Sequence, residues 1–122
     1  MQQDGWGGSL HEMSLMAGVF EIVEQTLAQH EIKRILKLKL RVGKLTNAQP
    51  DALCLAFEAY AQGTKAEGAE LVIEEVPVRA RCHRCGKEFP VTGFLFLCPH
   101  CQNVGLEILQ GEELLVESLE VE

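Results

Sequence analysis

Four cysteines in two close pairs constrain this chain more than any other feature. In "CHRCGKEFPVTGFLFLCPHC", Cys82 and Cys85 are spaced C-x2-C, as are Cys98 and Cys101, with twelve residues between the pairs. Each short spacing turns the backbone so that two thiolates converge. Two such turns complete a tetrahedral four-sulfur shell suited to Zn²⁺. Gly86, directly after the second cysteine, can take the positive φ that such a turn often requires. The surrounding lobe, residues 79–109, has only Phe89, Phe94 and Phe96 as sizeable apolar cover. A unit this small rarely folds on its core alone, and zinc ligation supplies about 10–16 kcal/mol. A closed four-thiolate shell leaves no open position for water or substrate, so the expected site is structural. The same ligands suit a one-iron redox centre, which visible colour would separate from colourless zinc. His83 and His100 lie inside the two loops and read as exposed residues.

The rest of the composition narrows the setting. At 122 residues the chain supports one domain, or a small domain with a smaller lobe. Its 47% hydrophobic and 24% charged residues argue against disorder. No apolar run approaches the roughly 18–20 residues of a membrane span. The opening "MQQDGWGGS" lacks the basic start and apolar stretch of a signal peptide, so a cytoplasmic protein is expected. In that compartment five cysteines suggest metal ligation rather than disulfides. Cys54 stands alone among helical residues and reads as a small buried apolar side chain.

A net charge of −7 argues against a general nucleic-acid binder. The charge is unevenly spread. Lys33, Arg34, Lys37, Lys39, Arg41 and Lys44 crowd one segment and Arg79, Arg81, Arg84 and Lys87 another. After Cys101 come Glu107, Glu112, Glu113, Glu117, Glu120 and Glu122 with no basic residue. The expectation is that basic and acidic strands lie side by side and pair across one sheet. The alternative is a basic docking surface, which would make the chain a zinc-ribbon adaptor for nucleic acid or protein.

Residues 1–9 form a Gly-rich leader without a period, either disordered or an appendage. Leu15, Val19, Ile22, Val23 and Leu27 follow helical spacing, and Ser9 with Glu12 matches a capping box, predicting a helix over roughly 11–29. "IKRILKLKLRVGKL" alternates, with Leu36, Leu38, Leu40 and Val42 on one face. "TNAQPDALCLAFEAYAQGT" predicts a second helix: Pro50 suits its first turn, Asp51 its positive end and Gly63 its close. Leu53, Phe57 and Tyr60 or Ala61 would line its inner face. "AELVIEEVPV" and "ELLVESLEV" predict two more strands. The expected fold is α+β: a small mixed sheet of three strands with two helices on one face, plus an inserted four-cysteine zinc-ribbon-like lobe.

Catalytic patterns are missing. There is no GxxxxGK[ST], no GxSxG and no GxGxxG after a strand. "HEMSL" begins like a zinc-protease HExxH, but Leu15 stands where the second histidine belongs. The chain reads as a non-enzyme. His11, taken alone, reads as a surface residue.

The combination says more. His11-Glu12-Met13-Ser14-Leu15 opens an amphipathic helix, "LRVGKL" precedes the second helix, and the CxxC…CPxC lobe is followed by "GEELLVESLEV". In this order the motifs resemble the HypA/HybF family of nickel metallochaperones for [NiFe]-hydrogenase maturation, from Leu10 to Val121. The resemblance implies a structural zinc on Cys82, Cys85, Cys98 and Cys101. It also implies a labile Ni(II) cargo at the start of the first helix. Residues 10–78 and 110–122 would then be the nickel domain and 79–109 the zinc lobe. In the family the chain begins at the Met of Met-His-Glu. Nickel takes the terminal amine, the histidine ring and deprotonated backbone amides, the planar nitrogen set that Ni²⁺ favours. Carried over, the ligands are His11, Glu12 through its backbone nitrogen (and its carboxylate in a six-coordinate alternative), and the nitrogen of Leu10. Leu10 occupies the Met position here, and its nitrogen is an amide. Residues 1–9 are accordingly read as non-native: an added linker, or a start assigned upstream of a UUG codon at residue 10. A genuine extension is the remaining explanation. The implied partners are a maturation GTPase of the HypB type and the hydrogenase large-subunit precursor, with no nucleic acid and no membrane. Self-association as a homodimer is left open.

Overall fold

The computed structural model describes residues 6–93 and 95–122. The elements run α1 (Trp6–Gln29), β1 (Ile35–Gly43), a 3-10 turn (Lys44–Thr46), α2 (Pro50–Ala61), β2 (Glu70–Val76), β3 (Arg79–Cys82), β4 (Glu88–Pro90), β5 (Leu106–Gln110) and β6 (Leu114–Val121). The described residues divide into two compact units. One holds the chain through Arg41 with Ala48–Glu74 and Leu114–Glu122; the other holds Val42–Asn47 and Glu75–Glu113.

In the first unit, α1 begins at Trp6 rather than near residue 11. Ser9 therefore lies inside the helix rather than at its N-cap. The Glu12 carboxylate instead accepts the Gln49 N–H. Residues 1–5 of the expected leader lie outside the described residues. The buried stripe of α1 is Met16, Val19, Phe20 and Val23, while Ile22 is 47% exposed and Leu15 half-buried. This helix is apolar on more than one face, so spacing alone did not fix its phase. In α2, Pro50 and Asp51 occupy the first turn as expected, and Leu53, Ala56, Phe57 and Ala61 are buried. Gly63 follows the helix at φ +75°, the left-handed close the sequence suggested. Phe20 meets Phe57 at 5.7 Å and stacks on Tyr60 at 5.5 Å, joining the two helices.

The sheet order is β2-β1-β6. Arg34 and Glu122 exchange backbone hydrogen bonds, and Gly43 N–H donates to the Glu113 carbonyl, so β6 runs antiparallel to β1. Ion pairs climb together along β1 and β2 (Lys37 with Glu70, Lys39 with Glu74), as they do between parallel neighbours. A crossover carrying a helix, here α2, is how such strands are joined. Leu38, Leu40 and Val42 are buried, while Leu36 is 41% exposed and Ile35 takes the buried place at the strand's start.

On the opposite face the basic central strand is flanked by acids, as the charge pattern anticipated. Lys37 also meets Glu120, Lys39 meets Glu117 at 2.9 Å, and Arg41 meets Glu117. Exposed pairs of this kind contribute about 0–1 kcal/mol each. Each buried Leu or Phe contributes roughly 1.5–3 kcal/mol. The apolar face therefore holds the layers together, and the charges select which strands lie beside β1.

The second unit contains a sheet that the sequence did not disclose, ordered β4-β3-β5 and antiparallel throughout. Ala80 opposes Phe89 on one side and Ile108 on the other. Val78, Ala80, Cys82, Phe89, Val91 and Cys98 form its core, with Phe96 and Leu106 packed against it. Phe94, expected as cover, lies outside the described residues. Gly43, from the "LRVGKL" motif, belongs here too. A Cβ at this position would fall 2.1 Å from the carbonyl carbon and oxygen of Gly111, itself at φ +113°. Two backbones meet at a distance only glycine permits. Gly43→Ala is expected to destabilise by about 1–3 kcal/mol or more, measurable by urea unfolding. Wild-type stability would mean that this approach yields easily.

Candidate metal centre

The four cysteines converge as their spacing implied. Cys82 Sγ and Cys101 Sγ are 3.5 Å apart, Cys85 Sγ and Cys98 Sγ 3.6 Å, and all four sulfurs lie within 4.8 Å of one another. A tetrahedron with metal–sulfur bonds of about 2.3 Å has edges near 3.8 Å, so this donor set fits Zn²⁺.

The two loops are built alike. Cys82 N–H donates to the Lys87 carbonyl and Gly86 N–H returns to the Cys82 carbonyl; Cys98 N–H donates to Asn103 and Gln102 N–H returns to Cys98. Gly86 sits at φ +76° and Gln102 at φ +62°. Gln102 thus occupies the turn position that glycine fills in the first loop.

Amides aim at the sulfurs. Arg84 N–H and Cys85 N–H approach Cys82 Sγ at 3.3 and 3.5 Å. The Cys85 amide first, with help from that of Arg84, draws the Cys82 thiol down to about 6. At Cys98 burial opposes ionisation, yet the Cys101 and His100 amides carry it below the usual thiol range. At Cys101 the Asn103 amide draws downward, but burial and the neighbouring thiols lift the group to about 11. These sulfurs share protons as one set.

Asn103 was not singled out in the sequence. Its amide donates to Cys82 Sγ at 3.8 Å and to the Gly105 carbonyl at 3.3 Å. Its place immediately after the Cys98–Cys101 loop was the available signal. His83 and His100 are exposed. Cys54 is half-buried rather than fully enclosed, with burial first and then Asp51 and Glu58 raising its thiol. Within the basic run, Arg84 and Lys87 are exposed and Arg81 is engaged by acids of its own sheet. Arg81 on central strand β3 is held by Glu88 at 2.9 Å and Glu107 at 3.2 Å.

At the start of α1 the adjacent pair divides. His11 is exposed, whereas Glu12 is fully buried with Oε2 accepting Gln49 N–H at 2.5 Å. Because α1 starts at Trp6, the amides of His11 and Glu12 fall to the carbonyls of Gly7 and Gly8 in the helical ladder. Leu10 is helical as well.

A family model described as hydrogenase/urease nickel incorporation, metallochaperone, hypA matches residues 10–121. The chain belongs to the HypA family. Hydrogenase maturation factor HypA of Desulfitobacterium hafniense (strain DSM 10664 / DCB-2) is 62% identical over 113 residues, covering 93% of this chain and 99% of the relative. The HypA factor of Geobacter metallireducens is 46% identical, covering 93% and 100%. The solution structure of the Ni metallochaperone HypA from Helicobacter pylori shares the fold, with a TM-score of 0.67 over 90% of this chain and 96% of that one, at 21% identity. Membership of the HypA family sets aside the adaptor reading of the basic run. The four-cysteine cluster fits the structural zinc of a HypA chain, and nickel is the family's cargo. No helix among the described residues is long and apolar enough to cross a membrane.

Proposed function

We propose that this HypA-family chain carries Ni(II) at the start of α1 for assembly of the [NiFe]-hydrogenase active site, while zinc on Cys82, Cys85, Cys98 and Cys101 braces the second unit. The observation that carries the reading is the family match across residues 10–121, in a chain whose His11 is an exposed residue. The His11 imidazole and the main-chain nitrogens of Leu10, His11 and Glu12 are the proposed donors. Consecutive backbone nitrogens and an imidazole form fused chelate rings, and Ni²⁺ favours such planar nitrogen sets. Protons must leave these groups for nickel to enter, so affinity falls on acidification. That property suits a carrier that must release its cargo.

The zinc supplies cross-linking and no open coordination position, which fits a carrier rather than a catalyst. The working site is the cytoplasm, with a maturation GTPase of the HypB type and the hydrogenase large-subunit precursor as partners. Residues 10–78 with 110–122 form the nickel-handling part and 79–109 the zinc lobe.

The test is His11→Ala. It is expected to abolish nickel uptake in equilibrium dialysis while retaining one zinc per chain and the wild-type melting temperature. Undiminished nickel affinity in this variant would remove His11 from the site.

A further inference from the structure

We infer that the Glu12 carboxylate is a positioning group that fastens the start of α1 to the N-terminus of α2, and not a nickel ligand. The inference rests on the nickel site proposed above and assigns its neighbouring acid a different task. Successive residues on a helix point about 100° apart. Here that rotation turns His11 to solvent and Glu12 inward, where it is 0% exposed. Oε2 accepts the Gln49 N–H at 2.5 Å. Gln49 is the N-cap of α2, and the next residue is Pro50, which has no N–H to offer. The carboxylate thus stands at the positive end of the α2 dipole, where a negative group is favoured.

Oε1 is buried as well and has no hydrogen-bond partner. Burial of a charged group on so few contacts is costly. This acid is held inside by its place between two helices. To reach an ion on the His11 ring, it would have to leave the interior and abandon the Gln49 amide. Its contribution to nickel binding therefore passes through the helix: it anchors α1 against α2 from its second turn onward while the ring beside it engages the ion.

Three measurements on the full chain, applied to Glu12→Gln and Glu12→Ala, decide the matter. They are Ni²⁺ affinity by titration, the visible absorption of the nickel-loaded protein, and hydrogen exchange at the Gln49 amide. Glu12→Gln keeps an acceptor oxygen of the same shape, and is expected to preserve the nickel spectrum and most of the Gln49 protection. Glu12→Ala is expected to lose that protection and to weaken nickel by about 10–100-fold, the usual effect of removing an outer partner. Its absorption spectrum at saturation should remain that of the wild type, and zinc content should not change. A shifted nickel spectrum in Glu12→Gln, with Gln49 protection intact, would make the carboxylate a ligand and overturn the inference. Failure of the nickel site itself would look different: His11→Ala would then bind as the wild type does, while Glu12→Ala still exposed the Gln49 amide.

Discussion

Removal of zinc by a strong chelator is expected to unfold residues 75–113 while the α1–α2 pair stays helical. Replacing Cys98, which like Cys82 is fully buried, with serine should do the same. Zinc ligation in small domains supplies about 10–16 kcal/mol. Among the described residues, the cluster around the sulfurs sets against that loss only Val78, Ala80, Phe89 and Val91 buried, with Phe96, Leu106 and Ile108 partly buried beside them. Its strands span only four, three and five residues. Amide hydrogen exchange reads the outcome residue by residue. Protection at the Ala80–Phe89 and Ala80–Ile108 pairings should collapse on chelation, while Leu53 and Phe57 amides remain slow. Acid should act in the same direction, since protons compete with the metal for thiolates. Retained protection across the β4-β3-β5 sheet after zinc removal would show that this unit stands on its apolar core.

The second large effect concerns nickel and the helix. In a chain whose α1 begins at Trp6, the His11 and Glu12 amides are already committed to the helical ladder. Nickel that takes those nitrogens must open the first turns. Two such hydrogen bonds are together worth about 1–3 kcal/mol, which is roughly 5- to 150-fold in affinity. A chain beginning at residue 10 has no preceding carbonyls to satisfy, since the first amides of any helix lack partners. It also gains a terminal amine. Nickel titration should find it tighter than the full chain by at least that factor. Far-UV circular dichroism should show helix lost on loading only in the full chain. Equal affinities with unchanged ellipticity would exclude the backbone nitrogens from the donor set.

What the sequence disclosed depended on how locally each feature is encoded. The C-x2-C spacing fixes the shape of each loop by itself, so the convergence of Cys82, Cys85, Cys98 and Cys101 was legible without a fold. The basic β1 and acidic β6 announced their pairing through charge, and Pro50 marked the start of α2. The β4-β3-β5 sheet was hidden because "RARC", "EFP" and "LEILQ" are too short to display a period of two. The buried stripe of α1 is shifted from the one its spacing suggests, since Leu15 and Ile22 are as apolar as Met16 and Phe20. The Glu12–Gln49 link spans 37 positions, and a local capping box with Ser9 offered a simpler reading. Tertiary packing overrode it.

The arrangement of charge in the β2-β1-β6 sheet has a further consequence. Both outer strands carry glutamates (Glu70 and Glu74 on one rim, Glu117 and Glu120 on the other), while the lysines and Arg41 sit on the middle strand. Open strand borders invite other chains to extend the ladder. Here any second molecule of the same kind arriving border to border would meet like charge on like charge. The ion pairs that draw the three strands together thus also place acidic side chains along both borders of the sheet.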